Sequence, residues 1–339
     1  MRSPACTGRV GGGAGRTAMI CRDWRGEPVC AIQPLYAVER ERWRRRLFWD
    51  GGATWDVVER ARRSRALPGL VLRDGAAIAG WAFFLLHQDT LQIGAFVART
   101  QGATRRLLDG ILASETARSA GTQLLFTFSE APALHAALTA SDFAVEPYAY
   151  LERPCSGRGR SSGGRGDPAL PAWDPRFHDP LSRLLATAYG DAEPTRPFAR
   201  GGSDGDWREY VSQLTATEGC GRLLPDESVV VPGDAGLDAA VLTTRIAADT
   251  AHIAQAAVAP ACRRRGLGRL AIETALDRIA AAGYARATLL VSGRNAVARR
   301  MYAGLGFVER SAFVSACRSG QPRRLNSPAL DTGGVRIFR

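Results

Sequence analysis

The chain has 339 residues, of which 45% are hydrophobic. That is enough for two packed domains, and no apolar run is long enough to span a membrane. The net charge of +12 comes entirely from arginine and lies mostly outside the expected domains, with +3 over residues 1–35, +3 over 153–167 and +4 over 318–339. A nucleic-acid-binding face would gather such charge on a folded element, so no specific nucleic-acid binding is expected.

Residues 1–27 are rich in Gly and Arg and are expected to form a disordered basic tail. Translation could start at Met1 or Met19, and no sustained apolar stretch marks a secretory signal. A first domain is expected over 28–152. Within it, 29–35 reads as a strand, and 37–49 and 54–66 read as helices. A three-stranded meander follows at 69–72, 77–86 and 91–98, with Asp74 and Gly75 marking a turn. A helix over 104–119, a strand at 123–128, a helix at 131–140 and a strand at 143–151 close the domain.

Residues 153–171 are rich in Ser, Gly, Arg and Pro and read as a flexible linker. A second domain is expected over 172–317. It opens with helices at 181–189 and 207–217. A second meander follows at 228–232, 239–246 and 250–258, then a helix at 266–281, a strand at 287–291, a helix at 296–305 and a strand at 307–316. Residues 318–339 are expected to be a second disordered tail. Both domains run strands, helix, strand, helix, strand, as an internal duplication would.

The chemistry concentrates between His252 and Phe307. Pro260 ends the strand at 250–258, because proline cannot donate to a ladder. Gly266 and Gly268 then allow backbone N–H groups to approach a ligand. Leu270, Ile272, Leu276 and Ile279 give the following helix an apolar face. Its N-terminus, beside Arg263, Arg264, Arg265 and Arg269, is an anion site suited to phosphate. After the next strand, Asn295 fits a helix N-cap, and Tyr302 lies two turns further along the same helix face. Strict alternation puts His252 and Val258 on one strand face. A neutral histidine there could deprotonate an amine or could be an ordinary strand-end residue.

Seven cysteines, at 6, 21, 30, 155, 220, 262 and 317, form no Cys-x-x-Cys pair. Neither a metal site nor a disulfide framework is indicated, and reduced thiols fit a cytoplasmic protein.

Three features together, Val258-x-Pro260, Arg263-x-x-Gly266-x-Gly268 and Asn295-x-x-Ala298-x-x-x-Tyr302-x-x-x-Gly306-Phe307, resemble the GNAT superfamily of acetyl-CoA-dependent N-acetyltransferases. The resemblance is good over about 226–317 and loose over 173–226. It implies an α/β fold of two tandem GNAT-like domains, each with a mixed, mostly antiparallel sheet flanked by helices. The architecture is similar to that of the mycothiol synthase family. The resemblance further implies that the fourth strand of the second domain splays from the fifth, and that acetyl-CoA lies in the gap. Its pantetheine arm would meet Ala256, Ala257, Val258 and Asn295. Its pyrophosphate would meet Arg263, Arg264, Arg265, Gly266, Leu267, Gly268 and Arg269. Tyr302 would act as general acid toward the coenzyme sulfur, and His252 is the candidate base.

The first domain lacks this machinery. Val97, Ala98 and Arg99 lead into a turn without Gly-x-Gly, and the position of Tyr302 falls on Ala137 or Leu138. The expected activity is acetyl transfer to a primary amine, of a small molecule, by direct attack. A protein N-acetyltransferase and a non-catalytic acyl-CoA-binding module are the alternatives. The acceptor is expected in the cleft between the domains or against the loop from Gly190 to Asp206, and the protein is expected to act as a monomer or homodimer.

Overall fold

The computed structural model describes residues 19–87, 89–128, 132–155, 170–190, 198–199, 202–216 and 220–319. The first half contains β1 (Ile20–Asp23), α1 (Val29–Leu47), α2 (Gly52–Arg63), β2 (Gly69–Asp74), β3 (Ala77–His87), β4 (Thr90–Ala98), α3 (Gln101–Leu112), α4 (Glu115–Ser119), β5 (Thr122–Phe128), α5 (Pro132–Thr139) and β6 (Ala144–Pro154). The second half contains α6 (His178–Tyr189), α7 (Asp204–Ala216), β7 (Arg222–Leu223), β8 (Val229–Gly233), β9 (Gly236–Ala247), β10 (Thr250–Val258), α8 (Leu267–Ala281), β11 (Arg286–Ser292), α9 (Ala296–Gly304) and β12 (Val308–Ser319).

Both halves join in one 12-stranded sheet of order β1-β2-β3-β4-β5-β12-β6-β11-β10-β9-β7, with β8 added against β9. The last strand of each half crosses to the other. β6 pairs along all of β11, from Arg286↔Pro154 to Ser292↔Tyr148, and β12 pairs with β5 from Phe313↔Phe128 to Ser319↔Thr122. β6 and β12 also pair with each other at the centre. The neighbours are antiparallel except β4–β5 and β10–β11.

Those two parallel pairs have one geometry. β4 and β5 are paired from Thr90↔Thr122 to Ile93↔Leu125 and then separate. β10 and β11 are paired from Thr250↔Arg286 to Ile253↔Leu289 and then separate. At each parting point the strand carries an irregularity against its other neighbour, at Gly94 in the first half and at Ala254 in the second. A bulge adds a residue, bends the strand and breaks the side-chain alternation.

Each half has a core on both faces of the sheet. In the first half, α3 and α5 cover one face with Leu107, Leu108, Ile111 and Leu138, while Trp24, Tyr36, Trp55, Trp81 and Phe83 pack on the other. In the second half, α8 and α9 cover one face with Ile272, Leu276, Ile279 and Tyr302, and α6 and α7 cover the other with Leu184, Leu185, Trp207 and Tyr210.

Several expectations change. Residues 29–35 are helical, as the start of α1, because Ile32, Tyr36 and Leu47 bury one helical face once the pattern is followed past residue 35. Residues 20–27, expected in a disordered tail, hold β1 and a fully buried Trp24, whose indole donates to the Leu67 carbonyl at 2.8 Å. The helix expected over 104–119 divides at Ser114, whose side chain caps α4 through the Ala117 N–H. Residues 153–154, expected in the linker, end β6, and residues 318–319, expected in the C-terminal tail, end β12. Residues 1–18, 156–169 and 320–339 lie outside the described residues. Among the described residues no helix is long and apolar enough to cross a membrane, and no group of His, Cys, Asp or Glu could hold a metal ion.

Candidate functional site

The site is built on the open edge of β10. Beyond Ile253 the strand no longer pairs with β11, so residues 254–258 present backbone groups on that side without a ladder partner in β11. Val258 leads through Pro260–Cys262 into the turn at Arg263–Gly266. Arg264 has φ 63° and Gly266 has φ 82°. Gly266 is the N-cap residue of α8, and no side chain caps the helix. Successive N–H groups in such a turn, added to the positive end of a helix of this length, make an anion-binding concavity.

Gly268 fixes how close α8 comes to β10. A Cβ there would lie 3.1 Å from Val258 Cγ2 and 4.0 Å from Met301 Sδ. Glycine therefore leaves open a gap between the first turn of α8, the end of β10 and α9. The matching turn of the first half is closed differently. Thr100 caps α3, its side chain accepting from the Ala103 N–H at 3.1 Å. That helix start has already satisfied a donor that an anion would need.

The four arginines of the turn separate into two groups. Arg263 donates from Nη2 to the Ala188 carbonyl at 2.8 Å and from Nε to the Val258 carbonyl at 3.4 Å, so it ties the strand end to α6. Arg269 pairs with Glu273 at 2.9 Å. Arg264 and Arg265 are exposed and make no ion pair among the described residues. They are the charges of the turn left open to a ligand.

Asn295 is the N-cap of α9, its Oδ1 accepting from the Ala298 N–H at 3.1 Å. Tyr302, on α9, is buried against Phe307, with ring centroids 5.7 Å apart. Burial raises its pKa, as does the neighbouring Tyr189. Its hydroxyl has no hydrogen-bond partner among the described residues.

His252 is elsewhere. The irregularity at Ala254 resets the alternation, so Val258 belongs to the core under α8 while His252 turns to the opposite face. There it stacks on Tyr150 at 5.9 Å and contacts Trp49 at 5.7 Å, and Nδ1 lies 2.9 Å from Thr288 Oγ1. The residue is 4% exposed, and desolvation pushes its pKa down to about 4. A sealed, hydrogen-bonded ring in the paired part of the strand departs from the expectation of a base open to an acceptor.

Three groups at the site went unnoticed in the sequence. Tyr189, at the end of α6, donates its hydroxyl to the Ala256 carbonyl on the open strand. The hydroxyl of Tyr210, on α7, lies 3.1 Å from Gln255 Oε1. Glu146, on β6, reaches Ser292 and Arg294 at the end of β11. The only signal for the two tyrosines was an aromatic on each helix ahead of the meander, which also describes core residues. Of the loop between Gly190 and Asp206, residues 191–197 and 200–201 lie outside the described residues.

Residues 218–307 match the acetyltransferase (GNAT) family. No curated protein matches the chain in sequence. Among solved structures, a GCN5-related N-acetyltransferase from Sphaerobacter thermophilus is 15% identical, with a TM-score of 0.55 over 88% of this chain and 95% of that one. A tandem GNAT protein from the clavulanic acid biosynthesis pathway is 15% identical, with a TM-score of 0.51 over 76% and 84%. A glucosamine N-acetyltransferase region of a fungal multi-domain GH3 beta-N-acetylglucosaminidase is 13% identical, with a TM-score of 0.56 over 89% of this chain and 38% of that one. These likenesses support the fold, and the matched segment holds the open strand, the turn and Tyr302. Residues 218–307, which carry the open strand, the glycine turn and Tyr302, are thus the segment of this chain that is similar to the acetyltransferase (GNAT) family.

Proposed function

We propose that the chain moves the acetyl group of acetyl-CoA to a primary amine of a small molecule, by direct attack of the amine on the thioester. The observation that carries this reading is the parting of β10 from β11 after Ile253, next to a helix start that no side chain caps. The residues present fit the cofactor. Arg264, Arg265 and the N–H groups of Gly266, Leu267 and Gly268 would hold its pyrophosphate, and the main chain of Ala256, Ala257 and Val258 its pantetheine arm. When bound, acetyl-CoA supplies an activated acetyl thioester.

Tyr302 is a neutral phenol at neutral pH and burial raises its pKa further, and its proton is not committed to another acceptor among the described residues. It suits a general acid toward the departing sulfur. Asn295 holds the start of α9 and so the height of Tyr302 along the helix. Cys220 is pushed up to about 11 by burial, so it stays a thiol at neutral pH, which favours direct attack over an acyl-cysteine. With His252 sealed in the core, the acceptor's proton leaves to water at the open side of the strand.

In this reading the protein works in the cytoplasm as a monomer or homodimer. The likeness to the mycothiol synthase family is one of tandem order. A panel of small primary amines, assayed with acetyl-CoA by release of free thiol, tests the proposal. Turnover with at least one of them is expected. Acetylation of protein N-termini alone, or coenzyme A binding without any transfer, would contradict it.

A further inference from the structure

We infer that Glu146, a residue of the first half, is a positioning residue for Tyr302 in the second. This rests on the reading of Tyr302 as the general acid. β6 crosses to pair with β11, and this brings Glu146 to the point where β11 ends and the turn to α9 begins. Its side chain is 5% exposed, while that of Arg294 is 65% exposed. Glu146 Oε1 accepts from Ser292 Oγ at 2.5 Å and from the Arg294 N–H at 3.4 Å, and Oε2 lies 2.6 Å from Arg294 Nε. One residue further along β6, the Pro147 carbonyl accepts from the Gly293 N–H at 2.7 Å. The approach is tight, since a Cβ on Gly293 would come within 2.9 Å of that carbonyl.

The turn Ser292–Asn295 is therefore held on β6 by a buried carboxylate and a backbone bond. From there the chain leads straight into α9. The Asn295 N–H donates to the Ser292 carbonyl at 3.1 Å, and Asn295 Oδ1 caps the helix. Tyr302 lies within that helix of nine residues, so a shift of its first turn moves the phenol. A buried carboxylate is unfavourable unless its oxygens are engaged. Here the hydrogen bonds of Oε1 go to the turn that starts α9, and Oε2, which accepts no hydrogen bond among the described residues, faces the Arg294 guanidinium of the same turn. The pyrophosphate turn belongs to a different element, α8, and none of the Glu146 contacts reaches it. The first half thus contributes to catalysis by setting the geometry of the acid.

The test uses the full chain. Glu146→Leu removes the carboxylate with its accepting oxygen, and Glu146→Gln keeps an oxygen for Ser292 and for the Arg294 N–H. In Glu146→Leu, hydrogen exchange should rise over 293–304 and stay unchanged over 267–281. Its kcat for acetyl transfer should fall about 10- to 100-fold, as a misplaced catalytic group does, with the KM for acetyl-CoA within about threefold of wild type. Glu146→Gln should recover most of the rate. In a Tyr302→Phe background, Glu146→Leu should add no further loss, because the two residues act as one unit. If Glu146→Leu does not fold, Ser292→Ala should give the same split between kcat and KM. Unchanged exchange over 293–304, or additive losses in the double variant, would overturn the inference. A Tyr302→Phe enzyme with wild-type kcat would instead refute the acid role, and the exchange measurement would still decide what Glu146 holds.

Discussion

The Nδ1 atom of His252 lies 2.9 Å from the Thr288 hydroxyl, across the last stretch in which β10 and β11 remain paired. This bond places His252 on the closed side of the point where the strands part. Burial holds its pKa near 4, so the ring is neutral in the folded chain. The unfolded chain takes up that proton first as pH falls below about 6.5. His252 therefore supports the fold fully above about pH 6.5, and that support is lost progressively as pH falls toward 4, by up to about 3 kcal/mol. Thermal melts should show a falling Tm from pH 7 to pH 5, with a smaller slope in His252→Gln. The acidic limb of the kcat/KM profile should be the same in both proteins. A limb that moves with the substitution would make His252 the base after all.

Tyr302→Phe should lower kcat and kcat/KM together while leaving coenzyme A affinity near wild type, because the hydroxyl acts when the C–S bond breaks. A loss of about 100-fold, the low end for general acid catalysis, is expected, since a thiolate is already a tolerable leaving group. Steady-state kinetics with calorimetry of coenzyme A binding checks both halves of this statement. A variant that loses affinity and keeps kcat would assign Tyr302 to binding.

Gly268→Val should abolish coenzyme A binding. Even its Cβ would fall 3.1 Å from Val258 Cγ2, and the added methyl groups would fill the gap toward Met301. Gly102→Val is the control in the first half, where a Cβ meets only Met19 Cε at 3.7 Å. Calorimetry should show binding lost in the former and kept in the latter. The reverse pattern would move the site to the first half.

The features legible in the sequence were local ones. The glycine turn, the helix behind it and the Asn295 cap each lie within a few residues, where composition and spacing carry the physics. Readings that depended on distant partners went astray. Strand parity joined His252 to Val258, but the irregularity at Ala254 reverses the face, and a lone alanine gives no sign of it. Residues 29–35 are apolar enough for a strand, and only Tyr36 and Leu47 reveal the helical period. Trp24 lies in the segment expected to be a disordered tail, and its stacking on Trp81 and Phe83 comes with a strand pairing that the sequence does not announce. The exchange of β6 and β12 is equally non-local, because nothing within either strand says which half of the sheet it joins.

That exchange has a consequence for truncation. Residues 172–317 alone lack β6, which pairs with seven residues of β11 on one side and with β12 on the other. Without it β11 becomes an open edge and β12 loses its register. The isolated segment should be largely unfolded by circular dichroism and should show no cooperative melt, whereas the full chain melts cooperatively. A cooperative melt in the segment, with coenzyme A binding intact, would show that β6 is dispensable.

The central claim is a single cofactor site at the parting of β10 from β11, with none at the equivalent parting of β4 from β5. Hydrogen exchange of the full chain with and without saturating coenzyme A tests it most directly. Protection is predicted over 254–258 and 263–270, with exchange over 94–105 unchanged. Protection over 94–105, or none over 263–270, would contradict the account.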